Sequence, residues 1–161
     1  MRRCVIVAGG AYTPIGPRGE NDYLIACDSG LRWCQREGIV PDLLLGDFDS
    51  YAGELPDGVP VLRFPVRKDD TDTMLAVRWA AENGFEEILL LCAFGGSLDH
   101  LLANLQTLHF ACKAGLRASA RDDLWTLAKE NNSTIRAIAE ANGLDALGPA
   151  WEKLILIPKT V

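Results

Sequence analysis

Three aspartate-rich clusters follow short apolar runs, and this arrangement constrains the fold more than any other feature of the sequence. The runs are 43–45, 61–64 and 88–92, and the clusters that follow them are 46–50 (GDFDS), 68–72 (KDDTD) and 95–100 (GGSLDH). A short apolar run bounded by turn residues is typical of a buried strand. Acidic residues placed after parallel strands meet at the carboxyl edge of the sheet, where open α/β folds bind ligands. The sequence therefore predicts a ligand site at one edge of a parallel sheet.

Strand and helix signals alternate over the first three quarters of the chain. Strands are predicted at 4–8, 23–27, 43–45, 61–64 and 87–92, and helices at 31–37, 73–83 and 100–113. On the helix at 73–83 the spacing predicts Met74, Val77 and Ala81 on the inner side. The alternation indicates an α/β fold, a parallel sheet with flanking helices. Residues 116–120 fit either the last strand of that sheet or the first strand of the region that follows.

The charge and composition of the chain exclude several classes of protein. With 161 residues it fits one domain, or one domain and a small module. Its net charge is −6, so it lacks the basic surface that is typical of nucleic-acid binders. No apolar stretch is long enough to span a membrane. The five cysteines form no CxxC pair and are expected to be reduced and buried. We therefore expect a cytoplasmic protein without nucleic-acid or membrane partners.

The spacing of the first acidic cluster is typical of a magnesium-binding site. Asp47 and Asp49 are two residues apart, so at the end of a strand their side chains point the same way. Mg²⁺ retains water and takes one or two carboxylates together with phosphate oxygens. The alternative is a turn rich in aspartate that ends at Ser50, because aspartate is common in turns.

The other clusters also allow both a structural and a functional interpretation. In the second cluster, at 68–72, Thr71 or Asp72 is a candidate cap of the helix that follows. Alternatively, the backbone amides at the start of that helix bind phosphate and the nearby carboxylates bind a metal ion. In the third cluster, paired glycines let the backbone approach a ligand closely. There Asp99 is also a candidate helix cap, and His100 a solvated residue of the first turn. Asp28, after the second strand, is expected at the same edge as the others.

Taken together, the clusters resemble the catalytic domain of thiamine pyrophosphokinase. The family's DSG, GDFDS, KDxTD and GGRxDH elements match 28–30, 46–50, 68–72 and 95–100, with Ser97 where the family has arginine. Asn104 matches a family asparagine. The resemblance implies catalytic and metal-binding roles for Asp47, Asp49 and Asp72. It implies nucleotide-binding roles for other residues of the match, which are Asp28, Ser50, Lys68, Asp69, Thr71, Gly95, Gly96, Ser97, Asp99, His100 and Asn104.

The family transfers a pyrophosphoryl group from ATP to thiamine with Mg²⁺, and the resemblance implies the same activity here. ATP and thiamine are thus the expected small-molecule partners, and Mg²⁺ the expected metal, in a chain that forms a homodimer or acts alone. Which aspartate acts as base stays open. The family continues into a β domain that helps bind thiamine, and we expect that domain to be absent here. We therefore expect magnesium-nucleotide binding with slow turnover of thiamine.

The last quarter of the chain resembles a LysM module instead. Its DLWTLA, NGL and LILIP segments suggest a small α+β LysM-like unit, and such modules bind glycans that contain N-acetylglucosamine. The sequence thus predicts a catalytic α/β domain at 1–121 and a LysM-like module at 122–161, with the boundary between 115 and 124. An alternative function is a non-catalytic nucleotide- or metal-binding protein with a glycan-binding tail.

Overall fold

The fold is a parallel sheet with helices on both faces, as the sequence predicts, and within the described residues the sheet has six strands. A computed structural model describes residues 2–48, 51–64, 70–95 and 97–120. The strands are β1 Arg3–Val7, β2 Asp22–Cys27, β3 Leu43–Leu45, β4 Val61–Leu62, β5 Glu87–Leu91 and β6 Arg117–Ala120. The helices are α1 Leu31–Arg36, α2 Asp72–Glu82 and α3 Leu98–Lys113, and a short 3-10 turn, Asp28–Gly30, precedes α1.

The central strands are apolar along their length because both faces of the sheet are covered. On β1, Cys4 and Ile6 belong to one buried core, and Val5 and Val7 belong to the other. Helices α2 and α3 cover the first core, while α1 and the connection between β1 and β2 cover the second. Near-continuous apolar strands of this kind are typical of parallel sheets buried on both sides.

The buried face of α2 differs from the face that the sequence predicts. Its buried residues are Thr73, Ala76, Val77 and Ala80. Met74 and Ala81, expected on the inner side, are only half-buried. The two buried alanines let the helix axis approach β1 and β2 closely, which a larger side chain would prevent. Small residues, rather than methionine, therefore set the orientation of this helix.

The strand order places a topological switch point beside the first strand. The order is β4-β3-β2-β1-β5-β6, so the chain moves outward from β1 to β4 and then crosses to the opposite side of β1. Crevices at such reversals, outside the carboxyl ends of the strands, are the usual ligand sites of open α/β sheets.

The strand at 117–120 belongs to this sheet, which settles one ambiguity of the sequence. Strand β6 pairs in parallel with β5, with Glu87 opposite Arg117 and Leu90 opposite Ala120. The predicted domain boundary and the LysM-like unit lie mainly beyond residue 120, outside the described residues, and stay predictions. None of the five cysteines, all of which lie within the described residues, forms a disulfide, and all except the half-buried Cys112 are buried. Within the described residues, no helix is both long and apolar enough to cross a bilayer.

Candidate active site

Three carboxylates converge at the carboxyl edge of the sheet, and we call them the acid cluster (Asp28, Asp47 and Asp72). Asp28 follows β2, Asp47 follows β3 and Asp72 begins α2. Gly46 packs against two members of the cluster, because a Cβ built there would lie 3.2 Å from Asp28 Cβ and 3.3 Å from Asp72 Oδ2. The charges of Asp72 and Asp47 both act on Asp28. The fold thus joins three acids that are far apart in the sequence.

The ionisation of Asp28 reflects this crowding. Burial raises the pKa of the Asp28 carboxyl, and the negative charges of Asp72 and Asp47 raise it further. Hydrogen bonds from the backbone amides of Phe48 and Ser29 lower the pKa and offset part of that rise. The Oδ1 atom of Asp28 is buried and has no hydrogen-bond partner among the described residues. An unpartnered carboxylate oxygen beside two other acids favours a cation as its missing neighbour.

The donor set fits magnesium. Carboxylate oxygens are the hard ligands that Mg²⁺ prefers, and the ion needs only one or two of them when it also binds phosphate. Within the described part of the chain, no three His, Cys, Asp or Glu side chains are grouped so that they could hold a metal ion, and phosphate oxygens would therefore have to complete the coordination. Asp49 and Asp69, two predicted contributors, lie outside the described residues. The acid cluster therefore suits a magnesium ion that arrives with a phosphate ligand.

The backbone is strained where these strands end. Asp28, Phe48 and Cys92 have φ values of 35°, 56° and 53°, in the left-handed region that non-glycine residues rarely adopt. They follow β2, β3 and β5 at the carboxyl edge. Phe48 is buried in the second core and lies edge-on to Tyr51, which fastens the loop that carries Asp47. Such strain costs of order 1–3 kcal/mol per residue and is typical of functional sites.

Helix α2 is capped by a predicted site residue. The Thr71 hydroxyl accepts a hydrogen bond of 3.2 Å from the Met74 amide, so the capping interpretation of Thr71 is confirmed. Asp72 lies in the first turn, where the helix dipole favours a negative charge. The Cys27 thiol lies 3.7 Å from the Asp72 carbonyl oxygen and ties this turn to the end of β2. The cap thus serves to place the Asp72 carboxylate.

At the switch point, the loop after β5 is hydrogen-bonded to the loop after β1. The amides of Gly10 and Ala11 donate to the carbonyls of Cys92 and Phe94 at 2.7 Å each, which joins the segments that follow β1 and β5. Gly95 has a φ of 88°, and a Cβ there would lie 2.3 Å from the Ala11 Cβ. This glycine is therefore required by the close approach of two loops, whether or not a ligand is bound.

Helix α3 carries the remaining described motif residues. Ser97 is its N-cap residue, but the serine side chain makes no capping hydrogen bond. Asp99 and His100 are exposed in the first turn. Asn104 is buried and donates from its side-chain amide to the Ala93 carbonyl, which holds α3 against the end of β5. The ligand-binding roles predicted for these four residues stay predictions, as do those of Ser50, Lys68 and Gly96, which lie outside the described residues.

Two arginines at this edge were missed by the sequence reasoning. Arg63, one residue beyond β4, donates to the Asp47 carbonyl. Arg32 of α1 donates to the Gly9 carbonyl at 3.0 Å. Neither residue belongs to an aspartate-rich cluster, so the cluster pattern did not mark it. The nearest sequence signals are the ends of two apolar runs, because Gly9 follows the run at 4–8 and Arg63 lies within the run at 61–64.

Replacing Asp28 by asparagine should stabilise the metal-free chain at neutral pH. Because folding raises the pKa of this carboxyl, its ionisation destabilises the folded state. The cost is absent below the ordinary carboxyl pKa of about 4 and is fully present above the raised folded-state value. Asparagine also tolerates the positive φ at this position.

The measurement is the melting temperature in a chelating buffer between pH 4 and pH 8. The Asp28→Asn variant should melt higher than the wild type at pH 7, and the difference should shrink toward pH 4. The exposed Asp57, in the loop before β4, provides the control Asp57→Asn. A variant that melts lower than the wild type at every pH would contradict the predicted repulsion.

Comparisons with known proteins agree with this architecture. The sequence model of the thiamin pyrophosphokinase catalytic domain matches residues 19–119. Thiamine pyrophosphokinase from Bacillus subtilis is 32% identical over 126 residues, which cover 73% of this chain and 59% of that protein. This chain thus spans about three fifths of the length of that relative.

Solved structures show the same similarity. The crystal structure of the Bacillus subtilis thiamine pyrophosphokinase superposes with a TM-score of 0.68 at 30% identity, over 76% of this chain and 61% of that one. A thiamin pyrophosphokinase family protein from Enterococcus faecalis superposes with a TM-score of 0.62 at 30% identity, over 76% and 62%. Because the family's sequence model covers more than half of the chain and the parallel sheet agrees with these structures, the chain belongs to the thiamin pyrophosphokinase catalytic domain family.

Proposed function

We propose that this chain binds magnesium–ATP at the carboxyl edge of its sheet and transfers a pyrophosphoryl group to the hydroxyl of thiamine. The products would be thiamine diphosphate and AMP. The observation that carries the proposal is the convergence of the acid cluster within the region that matches the family. The relatives named above, called thiamine pyrophosphokinases, support the choice of thiamine as acceptor.

The roles of the acid cluster follow from the chemistry of the transfer. The hydroxyl oxygen of thiamine attacks the β-phosphorus of ATP, and the bond from that phosphorus to the oxygen shared with the α-phosphorus breaks. AMP leaves with that oxygen, and a carboxylate of the site takes the hydroxyl proton. Asp47 and Asp72 would hold the magnesium ion, with Asp49 as a further predicted ligand. When bound, the ion neutralises charge on the phosphate oxygens.

Positioning supplies most of the remaining rate in such reactions, because the protein forms no covalent intermediate. The Thr71 cap, the buried Phe48 and the bond from Arg63 to the Asp47 carbonyl fix the carboxylates before substrate arrives. A site held in this way does not reorganise during the transfer, and this preorganisation is the main source of electrostatic catalysis.

The test is production of AMP and thiamine diphosphate from ATP by the purified chain. We expect both products to appear together, to require thiamine and to disappear when magnesium is chelated. Hydrolysis of ATP to AMP without thiamine diphosphate would contradict the proposed acceptor. Binding of magnesium–ATP without turnover would instead favour the alternative of a non-catalytic nucleotide-binding protein.

Restoring arginine at position 97 should tighten nucleotide binding more than it speeds turnover. An arginine can grip a phosphate with two parallel hydrogen bonds, which serine cannot do. The Ser97 side chain is exposed and makes no capping bond, so its replacement should cost little stability. We expect Ser97→Arg to lower the dissociation constant of magnesium–ATP about tenfold, the effect of one charge-assisted hydrogen bond, with a smaller change in kcat.

Calorimetry and steady-state kinetics measure the two effects separately. The control is Gln106→Arg, which adds the same charge at an exposed position further along α3. Equal effects of the two substitutions would mean that net charge, and not the position of the guanidinium, determines the affinity.

A further inference from the structure

Two exposed arginines are tied to the loops on either side of the acid cluster. Arg32 donates to the carbonyl of Gly9, which follows β1, and Arg63 donates to the carbonyl of Asp47, which follows β3. The strand order is β3-β2-β1, so Asp28, which follows β2, lies between these two anchor points. The carboxyl edge therefore presents a cation, a group of acids and a second cation in succession.

The guanidinium groups are held in place before any ligand arrives. The Arg32 Cζ atom lies 4.3 Å from the centroid of the Trp33 ring, and the Trp33 indole donates to the Gly10 carbonyl at 3.1 Å. Each guanidinium carries five N–H donors, and the bond to a loop carbonyl uses one of them. A side chain restrained in this way loses less conformational freedom when it binds an anion.

We propose that Arg32 and Arg63 grip the polyphosphate of a magnesium-bound nucleotide, one from each side of the acid cluster. This inference rests on the proposed function, because it names the side chains that would hold its phosphate donor. Three carboxylates with one divalent cation leave a net negative charge, which repels phosphate. Two guanidinium groups make the net charge of the site positive. Arginine also binds phosphate oxygens in a bidentate manner.

The separation of the two anchor points suits an elongated anion. Neighbouring strands lie about 4.8 Å apart, so loops that follow β1 and β3 are separated by about 10 Å. One phosphate group is smaller than that separation, whereas a chain of phosphates can extend across it. Arg32 and Arg63 should therefore distinguish polyphosphates from monophosphates.

The competing explanation is that both arginines only fasten loops. In that case their loss would lower the melting temperature and would weaken every ligand by a similar factor. Arg2 provides a matched control, because it is also exposed, donates to the Asn83 carbonyl at 3.0 Å and lies over the Phe85 ring. It precedes β1, at the opposite edge of the sheet.

The experiment is calorimetric titration of the purified chain with three probes, which are magnesium–ATP, magnesium–tripolyphosphate and AMP. Arg32→Gln and Arg63→Gln should each weaken both polyphosphate probes at least tenfold and should weaken AMP by a smaller factor. Arg2→Gln should stay within twofold of the wild type for all three. Arg63→Lys, which keeps the charge but loses the fork, should weaken the polyphosphates severalfold.

Several results would overturn the inference. These are polyphosphate affinities of both glutamine variants within twofold of the wild type, equal weakening of AMP and polyphosphate, or no binding of either polyphosphate by the wild type. If a glutamine variant does not fold, the lysine variant at the same position is titrated instead. A lysine variant that binds polyphosphate as tightly as the wild type would then contradict the proposal. Polyphosphate binding through these arginines without formation of thiamine diphosphate would refute the proposed function alone.

Discussion

Replacing Asp72 by asparagine should reduce kcat/KM for thiamine diphosphate formation by about 10²- to 10³-fold, the usual effect of removing one preorganised electrostatic contact. The substitution removes a carboxylate that is close to Asp28 and placed by the Thr71 cap. It should also weaken magnesium–ATP, because the ion would lose a predicted ligand.

The fold should tolerate this change. Asparagine keeps the size of the side chain, and the Thr71 cap does not depend on the Asp72 carboxylate. Loss of one of several like charges relieves repulsion in the metal-free protein, so the melting temperature should hold or rise. The control is again Asp57→Asn, and the measurements are steady-state kinetics, calorimetry and thermal melting. Unchanged magnesium–ATP affinity together with a large drop in melting temperature would mean that Asp72 serves only the helix.

Replacing Gly30 by alanine should have the largest effect on stability. Gly30 has a φ of −63°. At such a φ, alanine would ordinarily raise the free energy of unfolding by about 0.4–1 kcal/mol, because it restricts the unfolded chain. Here a Cβ would lie 2.2 Å from the Val7 carbonyl oxygen and 2.8 Å from that of Ala8. Both obstacles are backbone atoms of the segment formed by the central strand and its end, so neither can move alone. We expect a net loss of about 1–3 kcal/mol, the usual cost of overpacking.

Urea denaturation measures this effect, and Gly38→Ala is an informative control. Gly38 has a φ of 67°, but a Cβ at this position would meet nothing within 4 Å, so alanine there is opposed only by the backbone conformation. That cost is of order 1–2 kcal/mol. Because Gly30 ends the turn that carries Asp28, the Gly30 variant should also weaken magnesium–ATP, whereas the Gly38 variant should not. A Gly30→Ala variant as stable as the wild type would show that α1 can shift away from β1.

The strands and the site edge could be predicted because they depend on local patterns. The run at 43–45 is strand β3 with the predicted bounds, and the third predicted helix is extended by only two residues at its start. The convergence of Asp28, Asp47 and Asp72 was also predictable, because parallel strands must end at a common edge.

What the sequence did not reveal depends on contacts between distant segments. The inner face of α2 is set by how closely Ala76 and Ala80 approach the sheet, and a search for large apolar residues cannot detect this. Arg32 and Arg63 were missed because their partners are backbone carbonyls of other loops, which have no sequence signature. Gly95 resembles a ligand-binding glycine in the sequence, yet in the structure it is also required by close packing.

The position of β1 has a consequence for how the chain acquires its structure during synthesis. This strand is made before the other strands of the sheet, yet it pairs on one side with β5, where Arg3 lies opposite Glu87. Until β5 leaves the ribosome, that side of β1 has an open row of hydrogen-bonding groups and part of its apolar surface uncovered. Pairing between such distant segments must overcome the entropy of closing a long loop, which slows folding. We therefore expect the nascent chain to need protection from aggregation until β5 has been synthesised and has paired with β1.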